Sequence, residues 1–269
     1  MPEPREASVN DSTFPAPDFD VRDFARTAAG SHRDSLDLES YEREPLPVDI
    51  IRLLAYLQVI ERATMTHLRS VLVTATHKDA RITAFLTTWA YEKYWIADAL
   101  EQIVLAHKPE SERNGEKLPF TTPTEKTIRE SIFANIVGVP MIAVHMTLGT
   151  VDEWLTQFAY RSLVALNTHP QLSATIEKFL VIKQRQLSFF EAQARFRLTE
   201  SRQARSITRR RLRKTPWPLG AKAEPPAETE FFYKFLFASA PETVNDIDDR
   251  IDTLPGQSGL ALIRKAARL

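Results

Sequence analysis

The chain has 269 residues, of which 43% are hydrophobic, and its 35 basic residues balance its 35 acidic ones. The zero net charge gives no bulk signal for nucleic-acid binding, and the absence of cysteine excludes disulfides, thiolate metal sites and cysteine nucleophiles. Only seven glycines, together with abundant Leu, Ala, Arg and Glu, favour a mostly helical protein.

The first 44 residues are rich in Pro, Asp, Glu and Ser and poor in large aliphatic residues. This composition predicts an acidic, largely disordered arm with one short helix near residues 21–29. The first 20 residues lack the apolar core of a signal peptide, and no stretch reaches the apolar length of a membrane span. We therefore expect a cytoplasmic protein that binds neither membranes nor nucleic acids.

Four long amphipathic helices are predicted next, each with apolar residues at the i, i+3, i+4, i+7 spacing of one helix face. Gly138 and Pro140 should kink or break the third helix. The chain shows neither strand alternation nor an internal repeat, so the pattern predicts an all-α four-helix bundle at residues 45–214. The four helices are expected over about residues 48–76, 79–106, 125–167 and from 171 into the 190s.

The last third of the chain begins with a basic run at Arg209–Lys214. It is typical of the solvated end of the fourth helix, with docking of an acidic carrier protein or a phosphate-bearing substrate as the alternative. For residues 215–269 the sequence predicts a Pro-rich link followed by short C-terminal helices packed on the bundle.

Each predicted long helix carries one charged residue inside its apolar stripe: Glu61, Lys93, Glu153 and Lys183. An isolated charge in a dry core costs several kcal/mol even after relaxation. Two acids facing two bases would neutralise one another, so we expect these side chains to converge. They form either a structural salt-bridge network or a polar active cavity in which they move protons or form a covalent bond.

Other residues lie at the same level of the helices. Trp89 and Tyr160 are aromatic residues of the core or the lining of a pocket for a flat or acyl substrate. His145 is eight residues before Glu153, about 80° around the helix. It is either an ordinary hydrogen-bonded core histidine or a residue at the edge of the cavity.

At these positions the chain resembles the ferritin-like di-iron carboxylate proteins, particularly the soluble acyl-carrier-protein desaturase-like branch. The resemblance covers about residues 46–213 and, by general appearance, the WPLG and LPG motifs of the tail. That family places a Glu on its first and third helices, Glu-Glu-x-x-His on its second and Glu-x-x-His on its fourth, and these residues hold two irons.

The resemblance implies that Glu61, Glu92 and Glu153 match family carboxylates. Cations and uncharged residues stand at four other ligand positions: Lys93 and Lys183 replace glutamates, and Ile96 and Gln186 replace histidines. Iron needs carboxylate and imidazole donors, and a protonated Lys repels it. We therefore expect the family's fold without a metal or any other cofactor.

Three functions follow as hypotheses. The first is a metal-independent biosynthetic enzyme that uses the Glu/Lys cluster for non-redox acid–base or Schiff-base chemistry on a hydrophobic small molecule, free or tethered to a carrier protein. The second is a non-catalytic pseudoenzyme or binding partner of an active di-iron relative, and the third is a di-iron oxygenase or desaturase with atypical ligands. A homodimer is left open. The expected substrate-binding residues are Trp89, Glu92, Ile96, His145, Met146, Tyr160 and Gln186.

Overall fold

The computed structural model describes residues 19–108, 138–238 and 241–268. Every regular element in these residues is a helix, so the predicted all-α class is confirmed. Short 3₁₀ segments lie at Arg33–Ser35, Ala75–Lys78 and Ala221–Ala223. The α-helices are α1 (Val21–Arg26), α2 (Leu38–Arg43), α3 (Val48–Leu72), α4 (Ala80–Ala106), α5 (Pro140–Leu166), α6 (Pro170–Glu200), α7 (Arg202–Leu212), α8 (Pro226–Phe237), α9 (Thr243–Asp252) and α10 (Leu262–Ala267).

Helices α3 and α4 pack against each other and are joined by a short turn. The first long helix ends at Leu72, earlier than predicted, and Thr74 caps the 3₁₀ segment that follows. Asp79 then caps α4, since its carboxylate accepts the Ile82 backbone N–H at 3.0 Å. Two successive capping side chains thus stop one helix and start the next.

Helices α5 and α6 form the second closely packed pair. Pro140 occupies the first turn of α5, where its missing N–H costs nothing, so it starts the helix rather than kinking it. The predicted residues 125–137 lie outside the described part of the chain. Gly149 is the point of closest approach within the pair, because a Cβ there would overlap the Phe190 ring of α6.

The N-terminal segment, residues 19–46, differs from its predicted disorder. It runs along the groove between α4 and α6, anchored near its start by Phe24 and near its end by Tyr41. The Phe24 ring stacks on Phe85 with centroids 5.2 Å apart, and Tyr41 stacks on His169 at 4.6 Å. These few aromatic anchors hold a segment whose average composition is polar.

The C-terminal third returns to the long helices. The basic run is not the end of the fourth helix but belongs to a separate helix, α7, because the Ser201 side chain caps a new start. Within it, Arg209 donates to the backbone carbonyls of Gly256 and Ser258. Farther along, Tyr56 of α3 contacts the Phe232 ring of α8, as expected for C-terminal helices packed on the long ones.

Candidate functional site

Glu61, Lys93, Glu153 and Lys183 lie near the middles of α3, α4, α5 and α6, and the structure brings their side chains together. We call these four residues the Lys/Glu ring. All four are buried, with at most 1% of any residue exposed. The predicted convergence is confirmed, whereas a catalytic role for these residues stays a prediction.

Each ammonium of the ring contacts both carboxylates. Lys93 Nζ lies 2.9 Å from Glu61 Oε2 and 3.2 Å from Glu153 Oε1. Lys183 Nζ lies 3.0 Å from Glu61 Oε1 and 2.9 Å from Glu153 Oε2. Every carboxylate oxygen thus faces one ammonium, and the ring is closed and neutral.

The charges of the ring hold Glu61 and Lys93 in their ionised forms. Burial by itself raises the pKa of Glu61, but the positive charges of Lys183 and Lys93 outweigh burial and lower that pKa below its usual range. Burial opposes the charge on Lys93 too, yet the carboxylates of Glu153, Glu61 and Asp152 raise its pKa. Lys93 is therefore an ammonium at any physiological pH.

Two aromatic residues predicted at this level donate to the ring. The Tyr160 hydroxyl donates to Glu61 Oε1 at 3.0 Å, and the Trp89 indole N–H donates to Glu153 Oε1 at 3.3 Å. Burial and the neighbouring Glu61 raise the Tyr160 pKa well above its usual value, so the phenol keeps its proton. Lys93 Nζ also lies 5.3 Å from the centroid of the Trp89 ring.

Glu92 and Gln186 form a second polar pair, between the ring and the N-terminal segment. Gln186 Nε2 donates to Glu92 Oε2 at 2.8 Å, and the Ala29 backbone N–H donates to Glu92 Oε1 at 3.0 Å. Burial raises the Glu92 pKa, with the hydrogen bond from Gln186 partly opposing the rise. Gln186 Oε1 is buried without a hydrogen-bond partner among the described residues.

Asp152 is a site residue that the sequence reasoning missed. Its Oδ2 lies 3.7 Å from Lys93 Nζ, and its Oδ1 accepts the Leu219 backbone N–H at 2.7 Å. Burial raises the pKa of Asp152 to about 6, although the charge of Lys93 opposes the rise. The available signal was that α5 is apolar around most of its circumference, so the position beside Glu153 also faces protein.

The remaining predicted residues do not contact the ring through any polar group. Ile96 packs in the main apolar core, and Met146 packs in a second apolar cluster with Phe189 and Phe190. His145 Nδ1 lies 2.8 Å from the Thr76 hydroxyl, the hydrogen bond of an ordinary core histidine. Burial lowers its pKa to about 3, and lowers that of His67 to about 4.

The residues present do not fit the two irons that the resembled family holds. The two ammonium groups lie 2.9–3.2 Å from the carboxylate oxygens that would have to bind the metals. Ile96 offers no donor atom, and Gln186 offers only an amide oxygen where the family has an imidazole. Within the described ranges, no three His, Asp or Glu side chains are arranged to hold a metal ion.

No family model matches the sequence, and neither a curated protein nor a solved structure matches it. The likeness to ferritin-like proteins accordingly stays a prediction from the residues. Among the helices that the structure describes, none combines the length and hydrophobicity needed to cross a bilayer.

Proposed function

We propose that the chain is a ferritin-like four-helix bundle in which the Lys/Glu ring stands where the resembled family holds metal ions, and that it works as a non-catalytic binding protein. The observation that carries this proposal is the closure of the ring. Each ammonium lies within 3.2 Å of both carboxylates, and no ring residue is more than 1% exposed. A buried charge that already has two counter-charges on neighbouring helices is suited to fixing how those helices pack.

Charge supports the replacement of metal ions. Glutamates at positions 93 and 183 would join Glu61 and Glu153 to give four buried negative charges, which two divalent ions would neutralise. Replacing one such glutamate by lysine changes the charge by two, the charge of one divalent ion. Lys93 and Lys183 together therefore supply the neutrality that two metals would otherwise provide.

Protonation argues against amine chemistry in the ring. A lysine forms a Schiff base or accepts a proton only in its neutral form. The surrounding carboxylates instead raise the Lys93 pKa and keep it protonated. A protonated Schiff base at Lys93 would keep the charge but only one N–H, so it could donate to only one of the two carboxylates.

An exposed aromatic group on α4 supports a binding role. Tyr91 and Tyr94 are 48% and 41% exposed, and their rings lie 6.2 Å and 5.2 Å from the Trp95 ring. The Trp95 indole N–H has no hydrogen-bond partner among the described residues. Tyr and Trp are enriched at protein–protein interfaces, since they combine a large apolar area with a polar group.

The test is complementation of a deletion strain by two kinds of variant. A neutral-ring variant carries Glu61→Gln, Lys93→Met, Glu153→Gln and Lys183→Met together. We expect it to keep its helical circular-dichroism signal and to reverse the phenotype of the deletion. The variant with Tyr91→Ala and Tyr94→Ala should also fold but should not complement the deletion. Val181→Ala, at another exposed position, is the control. A folded neutral-ring variant that fails would overturn the non-catalytic proposal.

A metal-independent enzyme is the second candidate, and Asp152 is the observation that favours it. Its carboxyl lies outside the closed ring, has a pKa of about 6, and lies 3.7 Å from the Lys93 ammonium. A carboxyl with this pKa can take up and release a proton near neutral pH while Lys93 stays charged, which suits acid–base steps in the isomerisation, cyclisation or condensation of a hydrophobic small molecule. Under this candidate, Lys93→Met or Lys183→Met abolishes turnover of a substrate found by thermal-shift screening, while helicity persists.

Metal content separates both candidates from a di-iron oxygenase. We expect elemental analysis of protein purified without chelator to find no stoichiometric iron or manganese, because ammonium groups face the carboxylates. About two metal ions per chain would instead restore the oxygenase hypothesis.

A further inference from the structure

The groove between α4 and α6 is closed by the chain itself. The long helices pack closely as two pairs, α3 with α4 and α5 with α6, while α4 and α6 meet directly over only a short stretch. The N-terminal segment fills the space between them. Along it, the residues that are fully buried are Val21 and Phe24 at one end and Tyr41 and Leu46 at the other.

The middle of that segment, residues 25–40, is held by polar contacts near the surface and by half-buried side chains, among them Leu36, Leu38 and His32. We call residues 25–40 the cover. Arg185 of α6 donates to the Thr27 carbonyl at 3.3 Å and to the Thr27 hydroxyl at 2.9 Å. Arg33 is paired with Asp98 of α4 at 2.6 Å, with 56% of the Arg33 side chain exposed. The Arg33–Asp98 pair is bidentate, but no residue of the cover is buried, so the cover removes less apolar surface from water than the two ends do and is held more weakly than they are.

A polar pocket floor lies directly beneath the cover. Glu92 and Gln186 are each 0% exposed, and one Glu92 oxygen is satisfied by the backbone N–H of Ala29, which belongs to the cover. Gln186 Oε1 has no hydrogen-bond partner among the described residues. Lifting the cover leaves Glu92 Oε1 and Gln186 Oε1 without partners next to the Lys/Glu ring, and it also uncovers the Phe179 ring, which lies 5.0 Å from the His32 ring of the cover.

We propose that the cover opens as a unit while its two ends and the long helices stay folded, and that the uncovered groove binds a ligand with an apolar body and a hydroxyl, amine or amide donor. The donor takes the place of the Ala29 N–H on Glu92 and satisfies Gln186 Oε1. Opening of the cover is independent of whether the ring is structural or catalytic.

Amide hydrogen exchange tests the opening directly. The Ala29 amide should exchange much faster than the amides of α5, and Arg185→Ala should speed its exchange by about tenfold, the effect of losing hydrogen bonds worth roughly 1–1.5 kcal/mol. Arg195→Ala is the matched control, because Arg195 makes the same pair of contacts to the Thr253 carbonyl and hydroxyl, away from the cover. It should leave Ala29 unchanged.

Thiol labelling gives a second measurement, since the chain has no native cysteine. A single cysteine placed by Gln186→Cys lies under the cover, and one placed by Ala159→Cys lies in the main core. With Ellman's reagent, the first should react faster in the Arg185→Ala background and the second should not. The proposal fails if Ala29 exchanges only at the rate of global unfolding, or if Arg185→Ala accelerates α5 exchange and Ala159→Cys labelling equally.

Discussion

Each side chain of the Lys/Glu ring depends on the charges of the other three. Removing one partner from a buried pair typically costs about 3–5 kcal/mol, because the remaining charge is left in a dry core. Replacing a whole buried ion cluster by neutral groups of similar volume is often close to neutral in stability. Replacing one residue of the ring should therefore cost more stability than replacing all four by neutral residues.

We expect Lys93→Met alone to lower the free energy of unfolding by about 3–5 kcal/mol. It leaves Glu61 and Glu153 facing a single ammonium, Lys183. The neutral-ring variant should recover most of that loss, because its glutamines still accept from Tyr160 and Trp89. Urea unfolding followed by circular dichroism measures both. A fourfold variant that is less stable than Lys93→Met would show that the ring stabilises the fold beyond its charge balance.

Asp152 should make stability fall as the pH rises. Burial raises its folded pKa from 3.8 to about 6, so between these values the unfolded chain loses a proton that the folded protein keeps. The lost stability is on the order of 3 kcal/mol above pH 6. We therefore expect Asp152→Asn, whose amide oxygen can still accept from Leu219, to gain stability relative to wild type between pH 4 and 7.

Urea unfolding at several pH values checks this difference. Asp246→Asn, at an exposed position on α9, is the control and should follow wild type throughout. A constant difference between Asp152→Asn and wild type across the range would mean that folding does not raise the pKa of Asp152.

At the scale of the elements, the α5–α6 pair depends on the absence of a side chain at Gly149. Alanine favours a helix over glycine by about 1 kcal/mol. Here its Cβ would overlap the Phe190 ring, which is itself packed edge-on against Phe85 and Trp89. We expect Gly149→Ala to destabilise the protein despite its higher helix propensity, by about 1–3 kcal/mol of overpacking.

Thermal unfolding measures that loss. The double variant with Gly149→Ala and Phe190→Leu should lose less stability than the sum of the two single losses, because a smaller side chain at position 190 leaves room for the new Cβ. A Gly149→Ala protein more stable than wild type would show that α5 and α6 can move apart without cost.

The same elements show how far sequence reasoning reaches. Glu61 and Lys183 were predictable because a charge inside an apolar stripe is visible from one helix alone. Asp152 was harder to find, because α5 is buried around most of its circumference and the hydrogen-bond partner of Asp152 is Leu219, a tail residue 67 positions away. That residues 19–46 are ordered could not be predicted from their composition either. The segment is held by a few aromatic side chains that pack in a groove between two helices distant in sequence.

For the whole molecule, His67 and His145, both half-buried, should contribute to the loss of stability in acid. The pKa of His67 is lowered to about 4 and that of His145 to about 3, each mainly by burial. Below pH 6.5 the unfolded chain binds protons that the folded protein excludes, so stability falls as the pH drops. Each histidine contributes up to about 1.4 kcal/mol per pH unit between pH 6.5 and its folded pKa.

We expect His145→Asn to reduce the fall in unfolding free energy between pH 6.5 and 4.5. The variant has no imidazole at position 145, so its unfolded chain binds one proton fewer in this pH range. Urea unfolding at the two pH values measures the fall, and the comparison with wild type cancels the opposite contribution of Asp152. His77→Asn, at an exposed position on the turn before α4, should keep the full fall. An unchanged fall in His145→Asn would show that His145 titrates normally in the folded protein.

The closure of the Lys/Glu ring has an evolutionary consequence. Each ring residue is bonded to two others of opposite sign, so any single replacement by a neutral or reversed side chain leaves an uncompensated charge in the core. Descendants of this sequence can replace the charged residues of the ring only by paired substitutions or through intermediates of low stability. The four positions should therefore be inherited together, and a change at only one of them should be rare among descendants of this sequence.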